Sequence, residues 1–348
     1  MDFVHDLAPG DLDGDGRWDF YLGVTRDPDD QSFPFYDALY RQQPSGELAV
    51  DQSTISEDIG VRHTFDALWV DEDGDGDLDV YLANDLGAVL GASTLLRNED
   101  GQLVDAAAEC SCSILSNAKG VDVDDFNRDG LADFYISGNP RNTLLMQLED
   151  GSFVDVTVQT HAQGVTEPAT GWGAVFLDFD NDGARDILSG QGDRWNEGNE
   201  FPHFNVPFQL LHQKNGFFED VAPEYGMTLE SSFRAVLAAD MNEDGIEDLL
   251  VTTIDQPPLL YLSTGCTENN WVEIEGPVGS KVEVRAGDLV QTGWIHSDSG
   301  YLSYRTPRLH FGLGDHSCLT GLTVVLPGGE RIEVNQEINA RRRIVIQP

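Results

Sequence analysis

The nine-residue pattern D-x-[DN]-x-D-G-x-x-D occurs five times in this chain, and no other feature limits its fold as much. The copies read "DLDGDGRWD" (Asp11 to Asp19), "DEDGDGDLD" (Asp71 to Asp79), "DFNRDGLAD" (Asp125 to Asp133), "DFDNDGARD" (Asp178 to Asp186) and "DMNEDGIED" (Asp240 to Asp248). Their starts lie 60, 54, 53 and 62 residues apart. Near-regular recurrence at this period is the mark of a repeat architecture, in which each unit buries its apolar faces against its neighbours.

The spacing within each copy is that of a calcium cage. Calcium takes six to eight oxygen ligands at roughly 2.3–2.6 Å in a tolerant geometry. Oxygens at positions 1, 3 and 5 converge when the backbone winds around an ion, a backbone carbonyl serves at position 7, and a carboxylate at position 9 closes the set. The candidate ligands are therefore Asp11, Asp13, Asp15, Arg17 (carbonyl) and Asp19; Asp71, Asp73, Asp75, Asp77 (carbonyl) and Asp79; Asp125, Asn127, Asp129, Leu131 (carbonyl) and Asp133; Asp178, Asp180, Asp182, Ala184 (carbonyl) and Asp186; and Asp240, Asn242, Asp244, Ile246 (carbonyl) and Asp248. About five Ca2+ ions are expected. Magnesium, with its strict octahedron and retained waters, suits such a loop less well.

The pattern also opens the EF-hand loop, but that loop needs a bidentate Glu at position 12 and a helix on each side. Position 12 is here Leu22, Leu82, Ile136, Ser189 and Val251. The flanks "FDALWV", "FRAVLAA", "WDFYLG", "LDVYLA", "ADFYIS" and "EDLLVT" are short, apolar and rich in aromatic or β-branched residues, which reads as strands. Each loop joins two strands. Hairpins follow, in "LLRNEDGQLVDA", "LLMQLEDGSFVDV" and "LLHQKNGFFEDV", turning at Asp-Gly or Asn-Gly pairs. The segment "LYRQQPSGELAVD" is a weaker version. Four antiparallel strands in about 55 residues make one propeller blade.

Residues 1–265 resemble the FG-GAP or VCBS-type calcium-binding β-propeller repeat. The resemblance implies an all-β propeller stabilised by calcium, with five blades favoured and a seven-bladed ring with degenerate blades as the alternative. The fifth copy shows no clear fourth strand, so closure would use a strand from a terminus. Residues 266–348 lose the metal motif and read as short strands of a small β-sandwich. Asn270-Trp271, Gly300-Tyr301, Phe311 to Gly314, Pro327 and Gly329 resemble the ASPIC/UnbV region that follows such propellers in cartilage acidic protein-like proteins. The chain has "LPGG" at 326–329, where that family commonly has Trp-Pro-Ser-Gly.

Charge restricts partners. The chain has 62 Asp and Glu against 20 Lys and Arg, a formal net of −42, which five divalent ions would move only to −32. Such a surface repels phosphate backbones, so nucleic acid is excluded as a partner. No run of apolar residues is long enough to cross a membrane as a helix. Calcium of ordinary affinity is loaded outside cells, so a secreted, cell-surface or periplasmic location is expected, with any leader removed. Of the four cysteines, Cys266 and Cys318 are expected to pair. Cys110 and Cys112 form either a short-loop disulfide or a free pair.

No catalytic pattern stands out, and with so many carboxylates an acid–base pair is always available to the imagination. The insertion "GQGDRWNEGNEFPHFNVPF" in the fourth repeat is the candidate ligand site, with Asp193, Arg194, Trp195 and His203 suited to a sugar or peptide. Three functions are in contention. The first is an extracellular binding or adhesion module with structural calcium and a protein or glycan ligand. The second is a carbohydrate-active lyase or hydrolase, and the third a matrix component without a discrete ligand. The first leads, because the motifs build metal cages and no catalytic set.

Overall fold

The structure, a computed structural model, describes residues 3–25, 37–51, 53–55, 59, 62–164, 168–193, 205–254, 256–264, 267–298 and 300–347. Its N-terminal part consists of five antiparallel sheets in chain order. The first holds β1 (Phe3–Gly10), β2 (Asp19–Thr25), β3 (Ala38–Gln42) and β4 (Leu48–Val50). The second holds β5 (Thr64–Val70), β6 (Asp79–Asn84), β7 (Thr94–Glu99) and β8 (Gln102–Asp105). The third holds β9 (Asn117–Asp124), β10 (Asp133–Asn139), β11 (Thr143–Gln147) and β12 (Phe153–Asp155). In the fourth, β13 (Thr170–Leu177) and β14 (Asp186–Gly192) are followed by β15 (Val206–Pro207), which leaves the sheet, and then by β16 (Gln209–Lys214) and β17 (Phe217–Asp220). β15 pairs instead with β18 (Glu230–Ser231). The fifth sheet has three strands, β19 (Phe233–Ala239), β20 (Asp248–Thr253) and β21 (Leu259–Tyr261).

Every metal-pattern loop joins the first and second strands of its sheet, as the strand-like flanks require. The inner strands β1, β5, β9, β13 and β19 pack against one another in that order. β5, β9 and β13 are buried along nearly their whole length, on both faces, although β9 carries Lys119, Asp122 and Asp124 among its apolar residues. Buried carboxylates stitch neighbouring sheets together. Asp6 Oδ2 accepts the Ala67 N–H at 3.0 Å, Asp66 Oδ2 the Val121 N–H at 2.8 Å, and Asp122 Oδ2 the Phe176 N–H at 2.7 Å. Among the described residues no terminal strand completes the fifth sheet, so the expected strand-exchange closure is not seen.

The C-terminal part folds around its own core of Val272, Ile274, Val282, Phe311 and Val324. One sheet contains β22 (Asn270–Glu275), and the other β23 (Lys281–Ala286) and β24 (Leu289–Trp294). β25 (Arg308–Gly314) joins the first sheet, β26 (Cys318–Leu319) stands apart, and β27 (Gly321–Val325) and β28 (Arg331–Val334) join the second. β29 (Ile338–Asn339) pairs with β26, and β30 (Arg342–Val345) runs parallel to β22. Arg343 on β30 meets Glu273 on β22 at 2.8 Å. Two sheets over one apolar core make the small sandwich expected from the alternating runs.

Cys110 and Cys112 are bridged, with Cα atoms 5.2 Å apart. Cys318 carries a free thiol, and Cys266, with which it is expected to pair, lies outside the described residues. No helix among the described residues is long and apolar enough to cross a membrane.

Candidate metal centres

The five loops share one hydrogen-bond plan. The position-1 carboxylate accepts the N–H groups of positions 5 and 6 in four of them. In the first loop Asp11 takes Asp15 N–H at 3.1 Å and Gly16 N–H at 2.8 Å; in the fourth, Asp178 takes Asp182 N–H at 3.1 Å and Gly183 N–H at 2.9 Å. Asp125 and Asp240 repeat this in the third and fifth. In the second, Asp71 instead takes Gly74 N–H at 2.8 Å. The position-5 carboxylate accepts the N–H of position 7, at Arg17, Asp77, Leu131, Ala184 and Ile246. These bonds wind the backbone and leave the remaining carboxylate lone pairs facing inward.

Position 9 does more than close a cage. One oxygen of Asp19, Asp79, Asp133, Asp186 and Asp248 accepts the N–H of position 2. The other accepts a backbone N–H from the third strand, at Gln42, Asn98, Gln147 and Gln213, or in the fifth sheet from Ser263 just beyond that strand. Each loop is thereby tied to its own sheet across the second strand. The side-chain amide of that third-strand residue then reaches the previous sheet. Asn98 donates to the Leu12 carbonyl at 2.9 Å, Gln147 to the Glu72 carbonyl at 3.2 Å, and Gln213 to the Phe126 carbonyl at 2.8 Å. These amides were not singled out by the sequence reading. Their signal was the Asn or Gln that recurs near the end of the third strand in the first four sheets.

The oxygens converge where the pattern is all-Asp. Ligand atoms of Asp11, Asp13 and Asp15 lie within 4.8 Å of one another, as do those of Asp71, Asp73 and Asp79 and those of Asp178, Asp180 and Asp186. Among the described residues no such trio forms in the third and fifth loops. There Asn127 and Asn242 replace the position-3 acid and donate an amide hydrogen to Asp129 at 2.7 Å and Asp244 at 3.0 Å. Burial, reinforced by neighbouring acids, raises Asp71 to about 6 and Asp125 to about 7, and pushes Asp79 up to about 8. Asp178 and Asp186 are driven well above the carboxylate range by the same cause. Clustered, buried oxygen donors that resist ionisation are what a hard divalent cation stabilises. The donor sets of the first, second and fourth loops fit calcium.

The loops also carry the C-terminal sandwich. Gly312 N–H donates to Asp178 Oδ2 at 3.1 Å, and Gly314 N–H to the Asn181 carbonyl at 2.9 Å. Gly328 N–H reaches the Gly76 carbonyl at 2.9 Å, and Lys281 Nζ the Gly130 carbonyl at 2.8 Å. Trp271 packs against Gly245 so closely that no β-carbon fits there. A further stretch reaches the inner strands: Tyr304 donates to Asp6 at 2.7 Å, Tyr301 stacks between Phe65 and Trp172, and His296 and Arg305 stand 3.2 and 3.5 Å from Asp122 Oδ1.

The candidate ligand site in the fourth repeat is not assembled in view. Arg194, Trp195 and His203 lie outside the described residues. Asp193 is buried, with its N–H on Ser232 Oγ at 3.0 Å and its carbonyl accepting from Trp172 Nε1 at 3.0 Å.

The FG-GAP-like repeat model matches residues 71–136 and 125–189, and the ASPIC and UnbV model matches residues 276–348. Cartilage acidic protein 1 of Homo sapiens is 22% identical, the match covering 93% of this chain and 60% of that protein. The Mus musculus protein is 22% identical over 95% of this chain and 62% of its own length, so the chain spans about three fifths of these relatives. Among solved structures, a rhamnogalacturonan lyase of Bacillus licheniformis has a TM-score of 0.37 at 14% identity, covering 99% of this chain and 74% of that one. An exo-β-1,3-galactanase of Phanerochaete chrysosporium has a TM-score of 0.33 at 8% identity, covering 97% and 91%. Likeness this slight says nothing of activity. The chain thus carries FG-GAP-like repeats within residues 71–189 and an ASPIC and UnbV region over residues 276–348, and is similar at low identity over most of its length to cartilage acidic protein 1.

Proposed function

We infer that this chain is a calcium-stabilised binding or adhesion module of the cell exterior, with calcium in a structural role and a protein or glycan as its ligand. The observation that carries the reading is the placement of the loops. Their carboxylates are held by backbone N–H groups, and the second to fifth loops touch the C-terminal sandwich, an arrangement suited to holding two parts together. An ion that served turnover would need an open coordination position facing substrate. Millimolar extracellular calcium would keep such cages loaded, and the acidic surface favours cations over phosphate-bearing partners.

Thermal unfolding with and without a calcium-selective chelator tests the metal role. Chelation should lower the melting temperature, and added calcium should restore it by mass action. An unchanged melting temperature with no bound calcium overturns the reading. For the ligand, a glycan array and a panel of matrix proteins should give a hit that Trp195→Ala weakens. Turnover of a polysaccharide would replace this reading with a carbohydrate-active enzyme.

A further inference from the structure

Each sheet presents one third-strand side chain to its own metal loop, and this position varies between repeats. The backbone N–H groups that meet the position-9 carboxylates fix the alignment. The residues just before them are Arg41, Arg97, Met146, His212 and Leu262. Arg41 pairs with Asp13, and Arg97 holds Glu72 at 2.9 Å and stands 3.9 Å from Asp73. In the first two loops, then, a fixed guanidinium leans on position 3. Met146 and Leu262 offer neither charge nor a hydrogen bond.

His212 offers a nitrogen. The residue is 8% exposed, and its Nε2 is buried without a hydrogen-bond partner. That atom lies 3.4 Å from Asp180 Oδ2 and 3.8 Å from Asp182 Oδ2. Phe179 holds the ring edge-on at 5.1 Å between centroids. Ligand atoms of Asp180, Asp182 and His212 all fall within 4.8 Å of one another. Asp182 also lines a surface hollow with Arg128 and Lys214, and the Asp180 and Asp182 side chains are 32% and 40% exposed.

We propose that the fourth loop holds a borderline divalent cation of the zinc, cobalt or copper class between Asp180, Asp182 and His212. This position neighbours the one framed by Asp178, Asp180 and Asp186, and Asp180 is shared. Calcium takes oxygen donors, whereas a neutral imidazole suits zinc, cobalt and related ions. The fourth loop is therefore set apart from the other four by its donor type. The inference does not rest on calcium filling the remaining loops, since chelator-dependent melting and transition-metal binding are separate measurements.

The test uses the whole chain, stripped of metal and returned to millimolar calcium, then titrated with cobalt(II). The expected result is one equivalent of cobalt bound over the calcium background, with visible absorption that one equivalent of zinc abolishes. His212→Leu removes the nitrogen and keeps an apolar side chain of similar size in the buried position. That variant should bind cobalt at least about tenfold more weakly, given what lost ligand-sphere contacts ordinarily cost. His212→Gln, read by the same titration, answers the question if the leucine variant melts early. Copper(II) bound at the site should show nitrogen coupling by pulsed electron paramagnetic resonance, and the variants should lose it. No stoichiometric cobalt or zinc binding in calcium, or equal affinity in wild type and variants, overturns the proposal.

Discussion

Two glycines that look alike in the sequence are held for different reasons. Gly16 and Gly245 both occupy position 6 with positive φ, +81° and +88°. A β-carbon at Gly16 meets nothing within 4 Å, whereas one at Gly245 would lie 1.8 Å from Trp271 Nε1. Gly16→Ala should therefore cost only the left-handed backbone penalty, about 1–2 kcal/mol. Gly245→Ala adds a clash with the sandwich and should cost about 2–4 kcal/mol. Denaturant unfolding in calcium measures both, and equal losses would mean that Trp271 moves aside freely. The buried carboxylates make a second residue-scale prediction. Burial raises Asp6 to about 6, and burial with repulsion from Asp6 and Asp298 raises Asp66 well above the ordinary range. Each keeps a proton in the native state that the unfolded chain releases near its ordinary pKa. Unfolding free energy therefore falls as pH rises, by up to about 1.4 kcal/mol per pH unit for each such proton. For Asp6 the loss is complete once pH passes about 6, and for Asp66 it continues higher. Asp66→Asn keeps an acceptor for Val121 N–H and cannot ionise, so its stability should decline less between pH 5 and 8. Parallel curves for the two proteins would show that Asp66 is ionised throughout.

At the scale of elements, the loops were legible because calcium chemistry fixes residue types at fixed spacing. Strands were legible from the apolar runs on either side, and the absent position-12 acid removed the helical alternative. The sheet-to-sheet contacts were harder to read. Asp6 and Asp66 stand five residues before their loops, but Asp122 stands three before its own. That staple therefore has no single spacing to find. The amide staples lie at no fixed distance from their loops either, only at the fourth place of Leu-Leu-x-Asn or Leu-Leu-x-Gln, and Gln and Asn in a hairpin strand look like solvated residues until a neighbouring sheet supplies the carbonyl. Gln213→Leu removes the donor to the Phe126 carbonyl, leaving a buried acceptor unpaired. It should cost about 1–3 kcal/mol, measured by denaturant unfolding. Lys214, at the end of the same strand and exposed, serves as the control, and its replacement by Ala should stay within about 0.5 kcal/mol.

At the scale of the whole molecule, the residues that resemble the ASPIC and UnbV region are largely those that meet the metal loops. Trp271 seals Gly245, Gly312 and Gly314 donate to the fourth loop, Gly329 abuts Gly76, and Gly300-Tyr301 packs on Ala174 and Gly120. The sequence could not show this, because most of these contacts run through main-chain N–H and carbonyl groups that carry no residue signature. The contact makes the sandwich a reader of the loops' state. With a cation in the fourth loop, Asp178 stays ionised, and its Oδ2 remains an acceptor for Gly312 N–H. Without one, burial pushes Asp178 towards its protonated form and the acceptor weakens. Hydrogen exchange in calcium and in chelator should therefore separate two groups of amides. Gly312 and Gly314 at the interface should lose protection on chelation. Val282 and Val324, paired within the sandwich's own sheet, should keep theirs until the sandwich itself unfolds. If all four lose protection together, the two parts unfold as one unit and the loops stabilise the sandwich as well as its docking. If none changes, the docking is independent of the metal and the coupling argued here is absent.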